Sequence, residues 1–215
     1  MEQPSFTLTW RDRDMLETLT LRVRVMSVEQ VGRRWFSNSN EPTPLAVRRL
    51  RILERAGLVH LGTRASRPTP EFHSPLAIWN PGEAPPDFAE IARRTFARWR
   101  ERAVSIHLAV ATRRAGTYFG GEGGRWPRES ETSHDLALAS VYLRHFSPNQ
   151  ETARTWQSEA RLRGKGFGDD MRLPDARCVR DGRHVFIELL GEYRHEKLRD
   201  FHEFCMEQET GYEFW

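Results

Sequence analysis

Pro174-Asp175-Ala176-Arg177-Cys178-Val179-Arg180-Asp181-Gly182-Arg183-His184-Val185-Phe186-Ile187-Glu188 reads as two strands around a two-residue turn. Asp-Gly between alternating apolar residues is a strong hairpin signal, because both turn positions favour positive φ. With Asp181-Gly182 at the tip, Arg180 faces Arg183, Cys178 faces Val185 and Asp175 faces Glu188. Ala176, Cys178, Val185, Ile187 and Leu189 then form one apolar face, and Asp175 and Glu188 stand side by side on the other. Like charges directly opposite are destabilising, so something must offset them. A divalent metal held by Asp175 and Glu188 would do it, as would one raised carboxyl pKa. So would Arg177, two residues from Asp175 on the same face.

Before the hairpin, residues 164–168 are glycine-rich, 155–159 read as extended, and Thr132 and Asp135 open a helix to about Phe146. After it, a last helix carries His195, Lys197 and His202 without zinc-like spacing. Phe214 and Trp215 either fold back on the core or dock on another protomer. His134 reads as a partly buried core histidine.

The front of the chain has a different grammar. Thr9 caps a first helix, residues 22–26 alternate like a short strand, and Ser27 with Gln30 forms a capping box that starts a second helix. Thr43 and Pro44 open a third helix that stops at Gly57. Residues 58–61 and 72–79 then read as strands around a basic loop at 62–68. This is the element order of a winged helix-turn-helix domain. Ala46, Leu50 and Leu53 form a core stripe on the third helix, and Arg48, Arg51 and Arg55, with Arg49 between, form a cationic one. A recognition helix needs that split. Arg64 and Arg67 in the wing would reach flanking phosphates. Asn80-Pro81-Gly82-Glu83-Ala84-Pro85-Pro86 reads as a linker, a bridging helix follows over 87–102, and the glycines of 116–124 read as a turn or mobile loop.

The expected architecture is therefore α+β: a winged helix-turn-helix over 1–80, a linker and bridging helix over 81–102, and an α/β domain over 103–215. Charge follows the same division. Residues 1–80 hold twelve Arg against eight acidic residues, and 133–215 hold twelve basic against fifteen acidic, within a net charge of +3. A basic front suits a nucleic-acid partner. Every basic residue but Lys165 and Lys197 is Arg, which suits guanine and phosphate contacts and equally follows from GC-rich coding. No eighteen-residue apolar run occurs, so no membrane partner is expected. Residues 1–5 lack secretory-signal character, and Cys178 and Cys205 read as reduced thiols of a cytoplasmic protein.

Pro174-Asp175 followed by Glu188 on the next strand resembles the PD-(D/E)xK nuclease core. That resemblance implies a restriction-endonuclease-like domain with Mg²⁺ held by Asp175 and Glu188, a Lys two residues past the second acid, and Glu159 as a third carboxylate. Leu190 stands where the Lys belongs, leaving Lys197 as the nearby candidate. Over most of the chain the sequence is similar to the replication-relaxation family of plasmids and mobile elements, which includes MobC-type accessory proteins. Carrying that similarity are Glu54-Arg55-Ala56-Gly57-Leu58-Val59, His134-Asp135, Trp156-Gln157-Ser158-Glu159-Ala160-Arg161-Leu162-Arg163, Pro174-Asp175-Ala176, Ile187-Glu188-Leu189 and Glu196-Lys197-Leu198 before Phe201. It implies a DNA-binding accessory or regulatory protein, and Leu190 in place of the Lys points to one without catalysis and without a cofactor. A Mg²⁺-dependent nuclease using Glu159, Asp175, Glu188 and Lys197 is the alternative. An adaptor that docks a relaxase, replication or defence protein through its back domain is the other. Double-stranded DNA is the expected partner, and a homodimer is allowed.

Overall fold

The computed structural model describes residues 7–168 and 171–215. In chain order the elements are α1 (Trp10–Glu17), a π-helical turn (Thr18–Arg22), β1 (Met26–Ser27), α2 (Val28–Trp35), α3 (Pro42–Arg55), β2 (Val59–Ser66), β3 (Ala77–Trp79), α4 (Phe88–Arg98), β4 (Val104–Ala111), α5 (Arg113–Phe119) and α6 (Glu129–Val141). A second π-helical turn (Tyr142–Phe146) leads to α7 (Gln150–Thr155), β5 (Gln157–Ser158), α8 (Glu159–Arg163), β6 (Ala176–Arg180), β7 (Arg183–Glu188), α9 (His195–Glu207) and β8 (Gly211–Phe214). The class is α+β. The chain forms two compact units, and neither is continuous in sequence: unit 1 is Met1–Ser66 with Val104–Ala139, and unit 2 is Arg67–Ala103 with Ser140–Trp215.

Unit 1 begins with two helices whose first turns are closed by their own sequences. Thr9 accepts from the Asp12 backbone while Asp12 accepts from Thr9, and Ser27 and Gln30 repeat the arrangement. Each box satisfies amides that a helix start leaves unpaired. The chain then turns into α3, whose cap is Glu41 and whose first residue is Pro42, two positions earlier than the Thr43-Pro44 reading. Gly57, at φ 70°, stops it. Residues 22–26 do not form the expected strand: a π-helical turn occupies 18–22, and only Met26–Ser27 pairs.

The sheet of unit 1 has the order β1-β4-β2. The expected pairing of β2 with a strand over residues 72–79 does not occur. β2 pairs along its whole length with β4, from Val59 with Ala111 to Ser66 with Val104. The segment 67–103 leaves between the two strands and belongs to unit 2. Leu61 donates its N–H to Glu54 Oε1 at 2.9 Å, and the Thr63 carbonyl accepts from Arg64 at 2.9 Å. Val25, Leu108, Val110 and Leu136 form a buried cluster beneath. The glycines after α5 are packed rather than loose. A Cβ on Gly121 would collide with the Thr20 carbonyl oxygen, and one on Gly123 would collide with that of Thr112.

Unit 2 holds a five-stranded sheet of order β3-β8-β7-β6-β5. β5, β6 and β7 run as an antiparallel meander, α9 crosses over, and β8 returns parallel to β7. β3 adds to the far side of β8, with Ala77 opposite Phe214. Residues 80–86 therefore join two pieces of one unit, and the boundary expected there lies instead at 66/67, 103/104 and 139/140. The β6–β7 hairpin has the expected register, Arg180 with Arg183 and Cys178 with Val185, and Asp181 and Gly182 both have positive φ. Trp79, Ile91, Phe186, Leu198, Phe201, Tyr212 and Phe214 are among its core. Trp215 is buried too, with its backbone N–H bonded to the Glu188 carbonyl at 2.9 Å, so the final aromatics fold back onto their own unit.

Candidate functional site

Helix α3 carries the first candidate surface. Ala46, Leu50 and Leu53 are fully buried, and α3 turns Arg48, Arg51 and Arg55 outward. With Pro44 and Val47 these three line an open hollow of about 410 Å³. The spacing i, i+3, i+7 puts them on one side of the helix. Arg49 is turned away from that side. It donates to the fully buried Asp12 through Nε at 2.7 Å and through a second guanidinium nitrogen. Burial would raise the Asp12 carboxyl, but the bonds from Arg49 and Thr9 outweigh it and hold it below its ordinary range. Arg49 therefore clamps α3 to α1 and is a structural cation.

The two arginines expected in the wing separate. Arg64, on β2, lies 4.9 Å from the Trp126 ring centre, and that ring stands over Gly62, whose missing Cβ leaves it room. Arg67 belongs to unit 2, where it donates to the Trp99 carbonyl at 2.5 Å and pairs with Glu192 at 2.8 Å.

The second candidate lies at one end of the unit 2 sheet. Because Ala176 pairs with Ile187, Asp175 stands opposite Glu188. Asp175 Oδ2 accepts the Leu189 N–H at 2.8 Å, and its carbonyl accepts the Glu159 N–H at 3.0 Å. Glu188 is only 6% exposed. The Glu159 carboxylate binds Arg163 at 3.0 Å. Arg177 does not lie between the carboxylates as the sequence suggested: its guanidinium donates to Gln157 Oε1 at 3.0 Å and stacks over Phe167.

Lys197 approaches the carboxylates from the first turn of α9. Its ammonium lies 3.2 Å from the Tyr193 ring centre. Burial lowers its pKa, with Arg172 adding to that and Glu188 and Asp175 opposing it. Burial raises the Tyr193 hydroxyl, and Glu188 and Asp175 raise it further. Lys197 and Tyr193 thus stand in the field of the acidic pair. Among the described residues no group of three His, Cys, Asp or Glu side chains is placed to hold a metal ion. Two adjacent carboxylates still fit Mg²⁺, which keeps several waters and takes its remaining ligands from phosphate.

Sequence reasoning missed Tyr193 and Arg172, which belong to no recognisable spacing and are brought in by the loop before α9 and the chain before β6. His202 is buried against Tyr212, its Nδ1 3.1 Å from the phenol oxygen, whereas His195 is exposed beside Glu196. They do not form a pair. His134 is partly buried beside Asp135. No helix among the described residues is long and apolar enough to cross a membrane. No family model matches the chain, and neither a curated protein nor a solved structure matches it.

Proposed function

We propose that this chain binds duplex DNA through α3, as an accessory or regulatory protein of a plasmid or other mobile element. The observation that carries the reading is the outward stripe of Arg48, Arg51 and Arg55 on a helix whose opposite side is fully buried. The α2–α3 pair beside the β1-β4-β2 sheet supports a winged helix-turn-helix whose wing is opened by an inserted segment. Arg64 on β2 is the wing residue that stays with that unit. In this reading the three arginines enter the major groove, where a bidentate Arg–guanine contact contributes about 1–3 kcal/mol of discrimination. Arg49 and Arg67 contribute through folding instead.

Changing Arg48 and Arg51 together to Ala should weaken duplex binding at least about tenfold and flatten its salt dependence. Thermal unfolding should barely move, because both side chains are exposed. An unchanged Kd in gel shift or fluorescence anisotropy would remove the assignment.

One observation favours a second reading, a Mg²⁺-dependent nuclease on a restriction-endonuclease-like unit 2. Lys197 stands in the field of Asp175 and Glu188 although Leu190 occupies the usual lysine position. The β5-β6-β7 meander followed by α9 and parallel β8 supports that fold. The metal would supply Lewis-acid stabilisation of the phosphate. Asp175 and Glu188 would hold it, Leu189 N–H would orient Asp175, and the Lys197 ammonium would offset charge building on the phosphate oxygens. Supercoiled plasmid nicked with Mg²⁺ by the native chain, but not by Glu188→Gln or Lys197→Ala, would establish it. An intact plasmid leaves DNA binding as the whole activity.

A further inference from the structure

Unit 2 also holds a cationic cluster, distinct from the acidic pair but on the same sheet face. Gln157 on β5 pairs with Arg177 on β6. Its single side-chain oxygen accepts from Arg177 at 3.0 Å and from Lys165 Nζ at 3.1 Å. Two cations that share one acceptor lie within a few ångströms of each other. A neutral amide oxygen offers a partial negative charge and cannot neutralise both. His184 on β7, opposite Val179 and so diagonal to Arg177, is the third member. Among the described residues no carboxylate forms an ion pair with Lys165, Arg177 or His184. The imidazole registers the excess charge: partial burial lowers its pKa first, and Arg177 and Lys165 lower it further.

We propose that Lys165 and Arg177, which share Gln157, and His184, diagonal to Arg177, form a phosphate-binding cluster that holds a phosphodiester of a nucleic-acid strand. A phosphate oxygen replacing the Gln157 oxygen would bring the negative charge the two cations lack, and charge-assisted bonds of this kind are about twice as strong as neutral ones. The nucleic-acid source is favoured by position. Arg177 lies two residues along β6 from Asp175 on the same sheet face, about 7 Å by strand rise. A strand backbone crossing that face would meet the cluster and the acidic end in sequence. This rests in part on the DNA-binding reading, and the outcomes below separate the two.

The experiment uses the full chain with a short duplex, a single strand of the same sequence and inorganic phosphate as probes. Lys165→Glu is the main variant, since Lys165 is exposed and its loss leaves the fold alone; Arg177→Gln is the second. Binding is followed by anisotropy against salt and by the His184 imidazole resonances, assigned with His184→Gln. The expected result is a three- to tenfold loss of affinity in Lys165→Glu for the duplex, the single strand or both. It should come with a salt slope shallower by about one and a rise in the His184 pKa when the probe binds. Inorganic phosphate alone raising that pKa, with neither DNA probe affected by Lys165→Glu, supports the phosphate site and identifies a free phosphate as its source. The inference is overturned if both variants keep native affinity and no probe moves His184. DNA binding that is then still lost with Arg48 and Arg51 leaves the α3 reading standing. A chain that binds no DNA, yet shifts His184 with phosphate, overturns both the α3 reading and the nucleic-acid source, and leaves the cluster as a site for free phosphate.

Discussion

The molecule contains two antiparallel hairpins closed in opposite ways. β6 and β7 are joined by Asp181-Gly182 alone, whereas β2 and β4 are joined by the whole of 67–103, which folds into the other unit. Both hairpins pair in full register. Loop-closure entropy grows only as the logarithm of loop length, about 0.6 kcal/mol per doubling, so the long connection costs roughly 2–3 kcal/mol more than the short one. Eight paired positions, and a core for the inserted segment to join, offset that. A hairpin thus needs a matched pair of strands more than it needs a turn, and a strand pair without a turn leaves almost no local mark in the sequence.

Replacing 67–103 by a short glycine-rich turn puts this to its hardest test. Unit 2 would lose β3 and α4, and with them Trp79, Ile91 and Ala92 from its core. Losses of this kind cost about 2–5 kcal/mol for each large side chain, so unit 2 should unfold outright. Unit 1 should keep its β2–β4 pairing, now with a local turn. Hydrogen exchange of the two sheets measures both outcomes. Protection lost from β2 and β4 as well would mean that the units do not fold independently.

The short hairpin should answer to its turn. Gly182 has φ 75°, and a Cβ added there would meet nothing within 4 Å, so Gly182→Val meets backbone strain alone. A β-branched residue held there costs about 1–3 kcal/mol. Urea unfolding should show that loss, with β6–β7 pairing retained. A negligible change would mean the turn backbone relaxes and the strands hold the register unaided.

A smaller difference between the units should appear with pH. In unit 2, burial holds His202 and His145 below their ordinary pKa of 6.5, opposed by Glu203 for the first and by the bond to the Phe72 carbonyl for the second. Both contributions are full above pH 6.5 and are lost as pH falls from there through the folded-state values. Glu213, raised by burial against its bonds to Arg180 and Trp215, works the other way. Comparing native chain with His202→Gln cancels the Glu213 effect, and the variant should lose less stability between pH 7 and 5. In unit 1, Asp12 and Glu131 are lowered carboxylates, so their contribution persists to lower pH and fades only below about the ordinary carboxylate range. Identical pH profiles for native and variant chains would show that His202 accepts a proton without cost.

What was legible follows from how local each signal is. The cap at Thr9, the capping box at Ser27, the stop at Gly57 and the Asp181-Gly182 register all rest on residues within four positions of one another, and the structure has them. The stripe of Arg48, Arg51 and Arg55 was legible for the same reason. The partner of β2 was not, because Ala77–Trp79 is as apolar as a second wing strand should be and only the distant β8 claims it. Arg49 and Arg67 looked like their neighbours in sequence; their partners Asp12, Trp99 and Glu192 are assembled by the fold. The opposition of Asp175 and Glu188 was readable from the hairpin. Lys197 could be named but not placed, since nothing local tells how α9 begins relative to β7.

The outer side of β2 has a consequence for assembly. β2 is an edge of its sheet, and an exposed edge is a template on which another chain can add a strand. Leu61 and Thr63 are two positions apart, so their backbone groups point the same way, away from β4. The Leu61 amide is occupied by Glu54, reaching over from α3, and the Thr63 carbonyl by the neighbouring Arg64. A second copy seeking to extend this sheet would have to displace both side chains before forming its first ladder bond. A homodimer of this chain is therefore disfavoured along β2, and the guard against sheet-to-sheet aggregation is built from the same two segments, α3 and β2, that carry the arginines proposed to contact DNA.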